Sequence, residues 1–130
     1  MKYVAFIILI FLLLLTSLDA QGWYKTYNVT PFGEVNAVVA QTPDGGYLLA
    51  GETRSGTFDG ALNNIIVVKT DQEGAVQWTK ELDHVELGKS YTDSGPQVAV
   101  FNDGTFLVAA NTFSKFGCNN FMIIWRLDPF

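Results

Sequence analysis

The sequence predicts an all-β fold, two tandem units of antiparallel four-stranded, blade-like sheet, preceded by a signal-peptide helix. Three observations predict it. From Trp23 to Asp128, short runs rich in β-branched and aromatic residues are punctuated by Gly, Asp, Asn and Pro, the pattern of strands joined by turns. The phrase TPDGGYLLAG at 42–51 returns in altered form as FNDGTFLVAA at 101–110. Two runs, NIIVVK and FMIIWRL, are apolar at consecutive positions, which predicts strands covered on both faces.

In chain order, the first element is the signal. Lys2 precedes an apolar run from Val4 to Leu15, and Thr16-Ser17-Leu18-Asp19-Ala20 follows, the layout of a secretory signal peptide cleaved after Ala20. Leu18 is bulkier than the small residue usual at that site. The run is about a dozen residues, short of the roughly twenty that a spanning helix needs. This assigns 1–20 to the signal and predicts no stable membrane span once it is removed.

Within residues 21–130, Val35–Gln41, Tyr47–Thr53, Asn64–Thr70 and Val76–Leu82 are the predicted strands of the first unit. Pro43-Asp44-Gly45-Gly46 is the first turn, with Pro presetting one negative φ and Gly accepting a positive one. Asp71-Gln72-Glu73-Gly74 is a second turn of the same kind. In strand two, large residues give way to Ala50-Gly51, small residues suited to close packing. The second unit repeats the scheme in Gln97–Phe101, Thr105–Thr112 and Phe121–Leu127. Asp44-Gly45 recurs as Asp103-Gly104, Asn63 as Asn120, Asp71 as Asp128 and Trp23 as Trp78, a period of about 57 residues near the range of propellers and solenoids. Four strands per unit make a propeller blade, so the pair, units about 23–77 and 78–130, is a partial β-propeller.

The chain starts and stops out of phase with this unit. WYKTY at 23–27 resembles WTKEL at 78–82, a fourth strand, while Pro129-Phe130 stands where the second unit's last turn and strand belong. The leading strand is therefore expected beside the trailing one, as where an N-terminal strand completes a final blade.

The pattern Trp23-x-Lys25-Thr26-Tyr27, then TPDGGYLLAGETRSG, then KTDQEGAVQW resembles a propeller-like repeat of exported and surface proteins of bacteria and archaea, which occurs there in long tandem arrays. The resemblance covers nearly all of residues 23–128. The second unit departs from it, with Thr105 in place of the second Gly and Asn111 where Glu52 stands. The resemblance implies a fold and a secreted or cell-surface location, and it brings no catalytic residues. Two blades cannot close a ring of the usual four to eight. The expectations are a fragment of a longer array, a homo-oligomer in which each copy donates its WYKTY strand to the next, or a half-propeller standing alone.

Composition excludes several classes. Without residues 1–20 the chain keeps seven Lys or Arg against twelve Asp or Glu, and the basic residues occur singly. Nucleic acid is an unfavourable partner, because affinity for it rests on clustered Lys and Arg at phosphates. Cys118 is the single cysteine, so no intrachain disulfide exists, and the residue is expected to be buried as a small hydrophobe. Asn28-Val29-Thr30 matches a glycosylation acceptor by chance.

Candidate chemistry is sparse. His84, the single histidine, lies in LDHVELGKSYTDSGPQ, read as a loop, with neither a Gly-x-Ser-x-Gly elbow nor a neighbouring Cys to make a triad. One His and one Cys are too few for zinc. Asp59, Asp83, Glu86 and Asp93 are read as solvated loop charges, since calcium needs about six to eight oxygens and no Asp-x-Asp-x-Asp run occurs. Trp23, Trp78 and Trp125, with Tyr24, Tyr27, Phe58, Tyr91, Phe113 and Phe116, suit a sugar or peptide surface if several are exposed together, but the equivalent repeat positions of Trp23 and Trp78 favour a packing role. No cofactor or metal is expected. Loops 54–63 and 113–119 occupy matching places between strands two and three and project from one rim, the place where such scaffolds carry binding. Arg54, Phe58, Asp59, Phe113, Lys115 and Phe116 are the candidate rim residues.

The expected function is a noncatalytic exported module for binding or display at the cell exterior, with a protein or glycan as partner. The alternatives are part of a larger polysaccharide-acting enzyme whose site missing blades complete, with Asp59 or Asp93 as its acids, and a purely structural spacer.

Overall fold

The computed structural model describes residues 22–31, 33–53, 63–86, 89–113 and 120–129, and among them the chain is all β, without a helix. No helix among these residues is long and apolar enough to cross a membrane. The expected signal at 1–20 and Cys118 lie outside the described residues.

Nine strands form among the described residues: β1 Glu34–Gln41, β2 Tyr47–Thr53, β3 Ile65–Thr70, β4 Val76–Leu82, β5 Val85–Glu86, β6 Lys89–Ser90, β7 Thr92–Val100, β8 Phe106–Phe113 and β9 Asn120–Leu127. They make one antiparallel sheet in the order β1-β2-β3-β4, a second in the order β7-β8-β9, and the small pair β5-β6. The sheets share one pairing scheme: Tyr47 opposes Thr70 in the first as Phe106 opposes Leu127 in the second. Each first strand carries a bulge, between Val35 and Val38 in β1 and between Ser94 and Gln97 in β7. Each bulge holds a left-handed residue, Asn36 at φ 54° and Gly95 at φ 62°. Asn and Gly are the two types that occupy that region most readily.

The three turns also obey one rule. The N–H of Thr42, Asp71 and Phe101 donates to the carbonyl of Gly46, Ala75 and Thr105 respectively, at 2.9 Å each, and Gly45, Gly74 and Gly104 take φ of 84°, 75° and 85°. The side-chain oxygens of Asp44, Asp71 and Asp103 accept backbone N–H groups inside these turns, which is why Asp recurs there.

Sheet stacks on sheet. Leu48, Ala50, Ile65, Val67 and Leu82 of the first pack against Phe106, Val108, Ala110 and Leu127 of the second, all buried. All six residues of β3 are buried, as its unbroken apolar run predicts. The equivalent run in β9 is not: Met122 is 69% and Ile124 57% exposed. This corrects the expectation that both runs are covered on two faces. β3 lies between β2 and β4 with the second sheet on its core face, whereas among the described residues β9 has only β8 as a strand neighbour.

Three further expectations are corrected. The stretch read as a loop around His84 contains β5, β6 and the start of β7, since the bulge at Gly95-Pro96 lets a strand accommodate a proline that reads as a breaker. Residues 23–27 are not a strand and do not lie beside β9. Trp23 instead stacks edge-on to Tyr47 at 5.8 Å, and the Tyr27 hydroxyl donates to the Gly74 carbonyl at 2.9 Å. Among the described residues the second sheet consequently has three strands rather than four.

Candidate functional site

A cleft of about 700 Å³ opens between the two sheets at the end where the Asp-Gly turns lie. Pro43 and Asp44 of one turn and Asn102 and Asp103 of the other form its rim, and Lys69, Gln77, Trp78 and Phe106 its inner wall. The repeat builds the site: equivalent turns on stacked sheets necessarily face each other across the sheet interface. Trp78 also borders a second cavity of about 340 Å³, beside Lys80 and Arg126.

Lys69 is the one charged residue in the otherwise uncharged β3, and it is buried. Its ammonium donates to Asp44 Oδ2 at 2.7 Å, to the Thr70 carbonyl at 2.8 Å and to Gln77 Oε1 at 3.0 Å. Three acceptors match its three protons, which is what makes burial of a lysine tolerable. The Lys69 ammonium, then the Thr42 hydroxyl and the Gly46 N–H, hold the Asp44 carboxyl down to about 2, against an opposing push from burial. Asp44 is half exposed and remains a carboxylate throughout the neutral range. The Thr105 N–H and hydroxyl likewise hold the exposed Asp103 below the usual range. The rim therefore presents two fixed carboxylates over an aromatic wall. Trp78 packs on Phe106 at 6.3 Å, and its indole Nε1 is buried without a partner among the described residues.

Arg54, Phe58, Asp59, Lys115 and Phe116 lie outside the described residues. Phe113 ends β8, is 37% exposed, and sits at the opposite end of the sheets from the cleft. Of the aromatics, Trp78 is brought into the cleft, while Trp23 stacks on Tyr47 outside it. Lys69, Gln77 and Thr42 were not anticipated, and the available signal was Lys69 itself, a lone charge in a run otherwise read as buried.

His84 belongs to a second cluster. Its ring stacks on Tyr91 at 4.7 Å and meets Phe121 edge-on at 5.3 Å, and Nδ1 lies 3.5 Å from the Thr112 hydroxyl. Asp93 is fully buried, which corrects its reading as a solvated loop charge. Burial pushes its carboxyl up, opposed by Thr112 and His84 nearby. Its Oδ2 accepts the backbone N–H of His84 at 3.2 Å. Glu34, at the same place in the first sheet, accepts the N–H groups of Val29 and Thr30 at 3.0 and 2.6 Å. Both carboxylates tie the incoming chain to the first strand. Asp93 and Thr112, each 0% exposed, offer no substrate a path to a nucleophile or base, although Asp, Thr and His stand together.

Among the described residues no group of three or more His, Cys, Asp or Glu side chains is arranged to hold a metal ion. Comparison of the chain with protein-family models, with curated proteins and with solved structures gives no match in any of the three.

Proposed function

We propose that this chain is a noncatalytic, exported β-repeat module that binds a protein or glycan at the cell exterior through the cleft between its two sheets, each sheet being a blade of a propeller-type repeat. One observation carries the reading: the cleft is made by the repeat itself, with both Asp-Gly turns on its rim and Trp78 and Phe106 behind them. An aromatic wall with a few oriented polar groups is the usual composition of a ligand site. Gln77, Asp44 and Asp103 supply hydrogen-bond groups suited to hydroxyls or amides, and the indole of Trp78 supplies an apolar face of the kind that sugars and peptides stack upon. Export is supported by the Lys2, Val4–Leu15 and Ala20 pattern.

Glycan and peptide arrays probed with the full chain test the proposal. The expected result is retention of a glycan or peptide by the wild type, its loss in a Gln77→Ala/Asp103→Ala variant that circular dichroism shows to be folded, and recovery of the ligand chemically intact. Failure to retain any ligand, or recovery of a cleaved one, overturns it. For export, expression with the native N-terminus is expected to yield a secreted product beginning at Gln21.

A further inference from the structure

We propose that β9 is an acceptor edge for a second copy of this chain, which adds its residues 23–27 as the missing fourth strand.

The first sheet shows what the second lacks. Within it, β4 pairs with β3 so that Trp78 opposes Lys69, Lys80 opposes Val67 and Leu82 opposes Ile65. At the same time Trp78 packs on Phe106 of the next sheet. One tryptophan thus closes its own sheet and docks on its successor. Trp23 already makes the second of these contacts, edge-on to Tyr47, the residue that stands where Phe106 stands. The first contact is unmade among the described residues. Residues 23–27 make no backbone–backbone hydrogen bond among the described residues, and Trp23, Tyr24, Lys25 and Thr26 are exposed.

The other half of the joint is also open. Val67 and Ile65 are 0% exposed under β4 and the second sheet, whereas Ile124 and Met122, their equivalents by strand register, are 57% and 69% exposed. An eight-residue edge strand with Phe121, Met122 and Ile124 exposed is a template for strand addition. Transferring the β3–β4 register to β9 sets Trp23 opposite Arg126, Lys25 opposite Ile124 and Tyr27 opposite Met122. These reproduce Trp78 opposite Lys69, Lys80 opposite Val67 and Leu82 opposite Ile65: an aromatic beside a cation, a lysine beside an aliphatic, and a large apolar residue at the far end. Trp23 can enter β9 of one copy while it stays on Tyr47 of its own, as Trp78 does both. The donor's β9 is left free, so the contact is head to tail and closes into a ring or continues as a filament.

The test is sedimentation of the full chain across a concentration series. The wild type is expected to self-associate. Ile124→Lys sets like charges face to face at a position exposed in the single copy, and is expected to weaken association by about tenfold or more. Adding Lys25→Glu to the same chain is expected to restore it, since opposite charges then face each other. Tyr24→Pro removes a strand N–H at a residue 91% exposed. Mixed with Ile124→Lys, it should give a one-to-one dimer and nothing larger, because each variant retains only one half of the joint. Circular dichroism confirms that each variant folds. A wild type that stays monomeric, association indifferent to Ile124→Lys and Tyr24→Pro (another surface, or another segment on β9), or absence of rescue by Lys25→Glu overturns the proposal.

Discussion

The Glu52 carboxylate accepts the backbone N–H of Gly95 at 2.8 Å, and the same oxygen accepts Asn36 Nδ2 at 2.8 Å. Asn36 sits at the bulge of the first sheet and Gly95 at the bulge of the second, so one buried side chain, 5% exposed, joins two irregularities that occupy equivalent places. Glu52→Ala removes two charge-assisted bonds and is expected to cost about 2–3 kcal/mol. Glu52→Gln keeps an acceptor and should cost less. Urea unfolding of the two variants measures the difference.

The sheet interface depends on Phe106 more than on any exposed aromatic. Phe106 is 1% exposed and touches Trp78. Phe106→Ala is expected to cost about 3–5 kcal/mol and bring the chain to the margin of unfolding. Phe113→Ala, at a partly exposed strand end, should stay within about 1 kcal/mol. Thermal melts of both variants distinguish them.

Gly46 is fixed by what surrounds it. A Cβ there would collide with the Thr70 carbonyl and meet Lys69 Nζ at 2.9 Å. Gly46→Ala is therefore expected to destabilise by about 2 kcal/mol or more through overpacking and to disturb the Lys69–Asp44 pair. At the equivalent place in the second sheet stands Thr105, and there Arg126, the counterpart of Lys69, is exposed.

Two carboxylates give opposite pH dependences. Asp44, held down to about 2, contributes stability that is present above about pH 4 and is lost as pH falls through about 2. Asp44→Asn removes that dependence. Burial raises the Asp93 carboxyl, so its ionised form burdens the folded state above the raised value and the burden is absent below the ordinary carboxylate range. Asp93→Asn should gain stability relative to wild type as pH rises. Unfolding midpoints at acid and neutral pH check both signs.

Much of the architecture is legible in the residues. Tyr47–Thr53 and Val76–Leu82 match their strands end to end, because strand propensity and flanking Asp-Gly turns agree there. Three features are not legible. The start of β7 is hidden by Gly95-Pro96, which reads as a breaker and is in fact a bulge. The exposure of β9 is invisible in FMIIWRL, since an apolar run states what a strand would bury and not whether a partner is present. The cleft escapes because it arises from stacking: Asp44 and Asp103 are far apart in sequence and meet on one rim only when sheet lies on sheet.

Two sheets of one design stack face to face, the first closed by β4 and the second, among the described residues, ending at β9. Residue-resolved amide hydrogen exchange at high dilution, where copies are single, reads this arrangement strand by strand. Slow exchange is expected through Ile65–Thr70 and, in Asn120–Leu127, alternating slow and fast amides, since β9 is bonded on one side only. Uniform protection of 120–127 in the single copy, or fast exchange through 65–70, would contradict it.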